Sequence, residues 1–118
     1  MIDPKALAEK IAGILDSKGA TDIQILEVGH MTSITDFFVV ASGGNVQNVH
    51  TLAEDLEDQL AEEGIEPRRK EGKNGARWIV LDYAHVIVHI FHPEERQYYN
   101  IERLWQDGTN EEHYESKN

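Results

Sequence analysis

Two unbroken apolar runs constrain this chain most: FFVVAS (residues 37–42) and VIVHIF (residues 86–91). Both are dense in β-branched and aromatic residues, which suit a pleated backbone. A strand with one face in water alternates apolar and polar side chains, and FFVVAS does not alternate. It is therefore expected at the centre of a sheet covered on both sides. The rest of the chain has to supply its neighbours and its covers.

The flanking segments do so. Asp3 and Pro4 read as an N-cap and first helical position, Leu7, Ile11, Ile14 and Leu15 recur at helical spacing, and Gly19 closes the helix. Residues 21–28 read as a strand whose apolar parity slips between Ile25 and Leu26, the mark of a bulge or of burial on both faces. After a loop (HMTSITD) and the central strand, SGGN breaks the chain. A second helix follows, with Val46, Val49, Ala53, Leu56 and Leu60 on one side and acids elsewhere. Residues 65–70 form a short charged edge strand containing Pro67. Asn74-Gly75 favours a tight hairpin turn. RWIVLDY and VIVHIF are two more strands around a turn at Ala84-His85, and Pro93 opens a third helix with Tyr98, Ile101, Leu104 and Trp105 as its apolar side. The order α-β-β-α-β-β-β-α predicts one α/β domain over residues 1–108, with a mixed, about five-stranded sheet and three helices. Residues 109–118 have little to bury and are expected to be a disordered acidic tail.

Composition narrows the function classes. The 118 residues contain no cysteine, which removes disulfides, thiolate zinc sites and a cysteine nucleophile. No stretch approaches the ~20 apolar residues of a membrane span, so a soluble cytoplasmic protein is expected. With 22 acidic and 11 basic residues the net charge is −11. Such a chain repels phosphate backbones and is drawn to basic protein surfaces. The one basic run, Arg68-Arg69-Lys70, lies between Glu66 and Glu71 and suits an edge strand better than a nucleic-acid site.

AHVIVHIFH holds three histidines in nine residues, which raises the question of a metal. On a strand, His85 and His89 share a face but stand roughly 13 Å apart along it. One zinc needs its donors within ~4 Å of each other. No metal site is expected. His89 is instead read as a buried, hydrogen-bonded strand histidine. SGG followed by Asp55-Leu56-Glu57 imitates the signature of a nucleotidyltransferase, in which an acid pair on a strand binds magnesium. Here the acids fall on an amphipathic helix, where positions two apart diverge by roughly 200°. Neither a catalytic constellation nor a cofactor is expected.

What remains distinctive is the apolar load on the hairpin. Strand parity puts Ala76, Trp78, Val80 and Asp82 on one face and Arg77, Ile79, Leu81 and Tyr83 on the other. Three helices are few for five strands, so part of this surface is expected to lie open as a binding site.

Several segments, in this order and spacing, resemble the ribosomal silencing factor family, also called the Iojap or RsfS family. They are Asp36-Phe37-Phe38, Glu71-Gly72, Trp78, Leu81-Asp82-Tyr83, Val88-His89-Ile90-Phe91, Glu95-Arg96, Tyr98-Tyr99 and Leu104-Trp105. The resemblance runs from about Ile11 to Trp105. It implies a nucleotidyltransferase-like fold without the active site, and no enzymatic activity. It implies binding to the large ribosomal subunit through its fourteenth ribosomal protein, so that joining of the small subunit is blocked and translation is repressed when nutrients are scarce. The positions it carries over as partner contacts are Glu71, Gly72, Trp78, Leu81, Asp82, Tyr83 and His89. Family members dimerise, which makes a homodimer compatible with this reading. Two positions depart from the family pattern: Ala84-His85 where Gly-Asp is usual, and Val46-Gln47-Asn48 where Ser-Arg-Gln is usual. The rival reading, a divergent nucleotide-binding or nucleotidyltransferase-like enzyme, requires nucleoside triphosphate binding, which calorimetry with magnesium would detect.

Overall fold

A computed structural model describes residues 2–72 and 75–117. Its elements are α1 (Pro4–Ser17), β1 (Thr21–Glu27), β2 (Phe37–Ser42), α2 (Val46–Ala61), β3 (Arg69–Glu71), β4 (Trp78–Asp82), β5 (Val86–Phe91), α3 (Pro93–Tyr99), α4 (Ile101–Trp105) and β6 (Glu111–His113). The strands form a mixed sheet in the order β3-β4-β5-β2-β1-β6, in which only β2 and β5 run parallel.

The two apolar runs lie side by side at the centre, paired from Phe37–Val86 to Ser42–Phe91. Every residue of both strands is buried, and alternation sends their side chains into two separate cores. Phe37, Val39, Ala41, Val86, Val88 and Ile90 join α1 and α2 in the larger one, with Ile11, Leu15, Leu52, Leu56 and Leu60. Phe38, Val40, Ile87 and Phe91 join the smaller one with Leu26, Val28 and Ile101. The parity slip in β1 has the same cause: Ile25 belongs to the first core and Leu26 to the second. A bulge also exists, but earlier, where the register shifts between Thr21 and Gln24 and Asp22 takes φ 48°.

The capping signals act where the sequence put them. Asp3 accepts a bond from the Ala6 N–H at 3.2 Å, and Gly19 ends α1 at φ 92°. Asn45 caps α2 by accepting from the Asn48 N–H at 2.8 Å.

Four expectations are corrected. Among the described residues there are six strands, not five, because Glu111–His113 pairs antiparallel with β1. The segment expected to be a disordered tail thus extends the sheet. Tyr114 packs partly against the larger core, and the Lys117 N–H donates to Asp16 at 3.0 Å. The third helix is two short ones, split at Asn100, whose left-handed conformation (φ 46°) ends α3; asparagine tolerates that region better than most residues. The split leaves Tyr98 and Leu104 80% and 72% exposed, off the apolar side assigned to them. The charged edge strand also shortens to Arg69–Glu71, downstream of Pro67. The expected Asn74-Gly75 turn falls partly outside the described residues, since residue 74 is not among them.

Candidate docking face

The two sides of the sheet are covered unequally. α1 and α2 cover one side. On the other, α3 and α4 sit over β2 and β5, with Ile101 in the smaller core and Trp105 edge-on to Phe38 at 5.2 Å. Buried Arg96 locks them there: it donates through Nε to Glu102 at 2.8 Å, bridging the two helices, and through Nη1 to Ser42 of β2 at 2.9 Å. Among the described residues, α3 reaches β4 only at Trp78, through Tyr99; beyond it Val80 and Asp82 of β4 and Arg69 and Glu71 of β3 border an open concavity.

Trp78 stands at the boundary, on β4. Its indole stacks on Phe91 at 4.7 Å, touches Tyr99 at 4.9 Å, and donates its N–H to His89 Nδ1 at 3.1 Å. It remains partly exposed. Beside it a shallow concavity has Ile34, Phe38, Val80 and Ile87 as apolar walls, His89 at its base, and Arg69, Glu71 and Asp82 around its rim. Strand pairing explains the rim, because Arg69 lies opposite Asp82 and Glu71 opposite Val80, on the same face.

His89 is only 8% exposed, and burial pulls its pKa from 6.5 down to about 4. The ring is therefore neutral near pH 7. Because Nδ1 accepts from Trp78, the ring proton resides on Nε2, which is buried and has no hydrogen-bond partner among the described residues. A buried donor left unpaired costs about 1–3 kcal/mol. His85 and His92 have different roles. The first pairs with Asp36 at 2.8 Å, and the second caps α3, its Nδ1 accepting from the Glu94 N–H at 3.2 Å.

The site residues expected from sequence divide into three groups. Glu71, Trp78, Asp82 and His89 share the open face. Leu81 and Tyr83 do not: they are 0% and 7% exposed in the larger core, as strand alternation requires once α2 covers that side. As surface contacts these two are corrected. The Tyr83 hydroxyl has no hydrogen-bond partner among the described residues, and burial, reinforced by the negative charges of Glu57 and Glu66, raises its pKa above the usual tyrosine value. Gly72 serves the backbone. It sits at φ 114°, and a Cβ there would fall 2.9 Å from Ile79 Cγ1. Asp82 has its own structural task, accepting from the Ala84 N–H at 2.8 Å and from Arg68 Nε at 3.1 Å, which pins the β4–β5 turn. Sequence reasoning missed Ile34, which is 62% exposed in the loop before β2, and Tyr99. A loop residue such as Ile34 carries no periodicity to reveal it, and Tyr99 ends α3 beside the break at Asn100; Val80, in contrast, shares the parity of Trp78.

Asp55 and Glu57 lie on α2, and Glu57 pairs with Lys70 of β3 at 2.9 Å. The strand-borne acid pair of a nucleotidyltransferase is thus not formed by these residues. Among the described residues, no helix is long and apolar enough to cross a membrane.

Comparison with known proteins agrees with this geometry. The family described as "Ribosomal silencing factor during starvation" matches residues 2–118. The ribosomal silencing factor RsfS of Bacillus subtilis is 36% identical over 107 residues, covering 91% of both chains. That of Halalkalibacterium halodurans is 37% identical over 102 residues, covering 86% of this chain and 87% of the relative. A crystal structure of a Chromobacterium violaceum protein superposes with a TM-score of 0.85 at 28% identity, over 92% of each chain. With its whole described length inside the family match and its fold reproduced, the chain belongs to the ribosomal silencing factor (RsfS) family.

Proposed function

We propose that the open β3–β4–β5 face docks onto the large ribosomal subunit through its fourteenth ribosomal protein, and that the bound domain blocks joining of the small subunit. Translation is thereby repressed in the cytoplasm under nutrient limitation. The observation that carries this reading is Trp78: a partly exposed indole, held by Phe91, Tyr99 and His89, beside an apolar concavity with a charged rim. Aromatic anchors in such settings supply most of the affinity of protein interfaces. The net charge of −11 favours encounter with a basic ribosomal protein. Steric exclusion needs bulk and a slow off-rate, and asks for no catalytic group or cofactor.

The reading is tested by co-sedimentation with purified large subunits and by a subunit-joining assay. The parent protein should pellet with large subunits and inhibit joining, and Trp78→Ala should do neither while unfolding cooperatively. Undiminished joining in the presence of excess protein would refute the reading.

A further inference from the structure

We infer that His89 is a positioning residue for docking: through Nδ1 it fixes the Trp78 indole in its binding orientation, and its own ring makes no contact with the partner. This inference rests on the docking role proposed for Trp78.

Three observations carry it. First, the two residues occupy different depths. Trp78 reaches the surface, whereas His89 is 8% exposed and its Nε2 is buried. A partner meets the indole first. Second, the other neighbours of the indole are rings. Phe91 and Tyr99 hold it by stacking and tilted contact, which permit sliding, whereas the 3.1 Å bond from Nε1 to His89 fixes the rotation of the ring. Third, the bond requires a neutral imidazole, and the surroundings keep it so. The rings around His89 are Phe38, Trp78 and Phe91, and its strand partners are Val40 and Val80. The charges on this side of the sheet, among the described residues, include Arg69, Glu71 and Asp82 at the rim, Arg96 and Glu102, which pair with each other, and Glu94 and Glu95 of α3, which pair with Arg77. Asp82 is engaged by Arg68. None of these carboxylates bonds to the imidazole.

An anchor that is ordered before binding avoids the cost of immobilising its side chain, which amounts to about tenfold in affinity. His89→Leu keeps the bulk and deletes the acceptor. His89→Asn places Oδ1 near the position of Nδ1 and restores it. Binding to purified large ribosomal subunits is measured in the full chain. Trp78 emission and anisotropy are read separately in a Trp105→Phe background, where Trp78 is the single tryptophan.

The expected result is about tenfold weaker binding for His89→Leu, with red-shifted emission and lower anisotropy, and recovery of all three in His89→Asn. Acid titration should change Trp78 emission with a midpoint near pH 4 in the parent and not in His89→Asn. Unchanged binding by His89→Leu overturns the inference. So does weaker binding with an unaltered Trp78 signal, which would make His89 a direct contact, and so does failure of His89→Asn to recover. If Trp78→Ala binds normally, the docking reading itself fails. The fluorescence arm then still reports whether His89 orients the indole.

Discussion

The two sides of this sheet are built from the same strands on different principles. The side under α1 and α2 is almost wholly aliphatic and closed: Ile11, Leu15, Leu56 and Leu81 are fully buried. The side under α3 and α4 is aromatic, carries a histidine whose Nε2 has no partner among the described residues, and is only partly covered. Aliphatic packing rewards completeness, since each buried methylene contributes about 0.8 kcal/mol. The aromatic side forgoes some of that in exchange for a surface with shape and polarity. On the docking role proposed above, stability resides mainly in one side and recognition in the other, although alternate residues of one strand serve both.

This contrast can be broken by experiment. Leu81→Ala, which cuts the closed side, should cost about 2–5 kcal/mol in urea unfolding and leave docking by the remaining folded fraction intact. A smaller cost than that of Trp78→Ala would reverse the assignment. Acid should act through the open side. The folded pKa of His89, about 4, lies below its ordinary 6.5, so between these values the unfolded chain binds the extra proton. The stability at stake is fully present above pH 6.5 and is lost as pH falls towards 4, by about 3 kcal/mol at the limit. Urea midpoints at pH 7 and pH 4 should therefore differ more in the parent than in His89→Asn, and equal differences would remove His89 from the acid response. Trp78→Ala should weaken binding to large subunits by about 2 kcal/mol, roughly thirtyfold. The smallest effect should come from the β4–β5 turn, which both sides share. Ala84 sits at φ 73°, which costs a non-glycine residue about 1–2 kcal/mol. After allowance for the greater chain entropy of glycine, Ala84→Gly should gain about 0.5–1 kcal/mol in thermal unfolding and leave docking unchanged. A loss of stability there would mean that the turn is not strained.

The sheet was legible in the sequence because its central strands violate alternation, and the first helix because its caps have specific chemistry. β6 was not legible. Glu111, Glu112 and His113 pair with Gln24, Ile25 and Leu26 through their backbones, so EEH carries no hydrophobic signature. Nor was the break at Asn100, which depends on a single left-handed residue. At the candidate site, parity grouped Trp78 with Val80 and Asp82 correctly. Which parity faces the helices depends on where α1 and α2 dock, and a strand's own sequence does not contain that. Leu81 and Tyr83 came in as contacts through the family resemblance, which names positions and not the side of the strand they face; both lie on the covered side.

The strands at the two margins, β3 (RKE) and β6 (EEH), are each three residues long and charged. Between such short borders, the row of free backbone groups that another extended chain would need in order to lengthen the sheet is brief and poorly matched. Growth by adding strands end over end is disfavoured at both margins. The short margins thus leave the broad surface of the sheet, and not its rim, as the larger area open to contact.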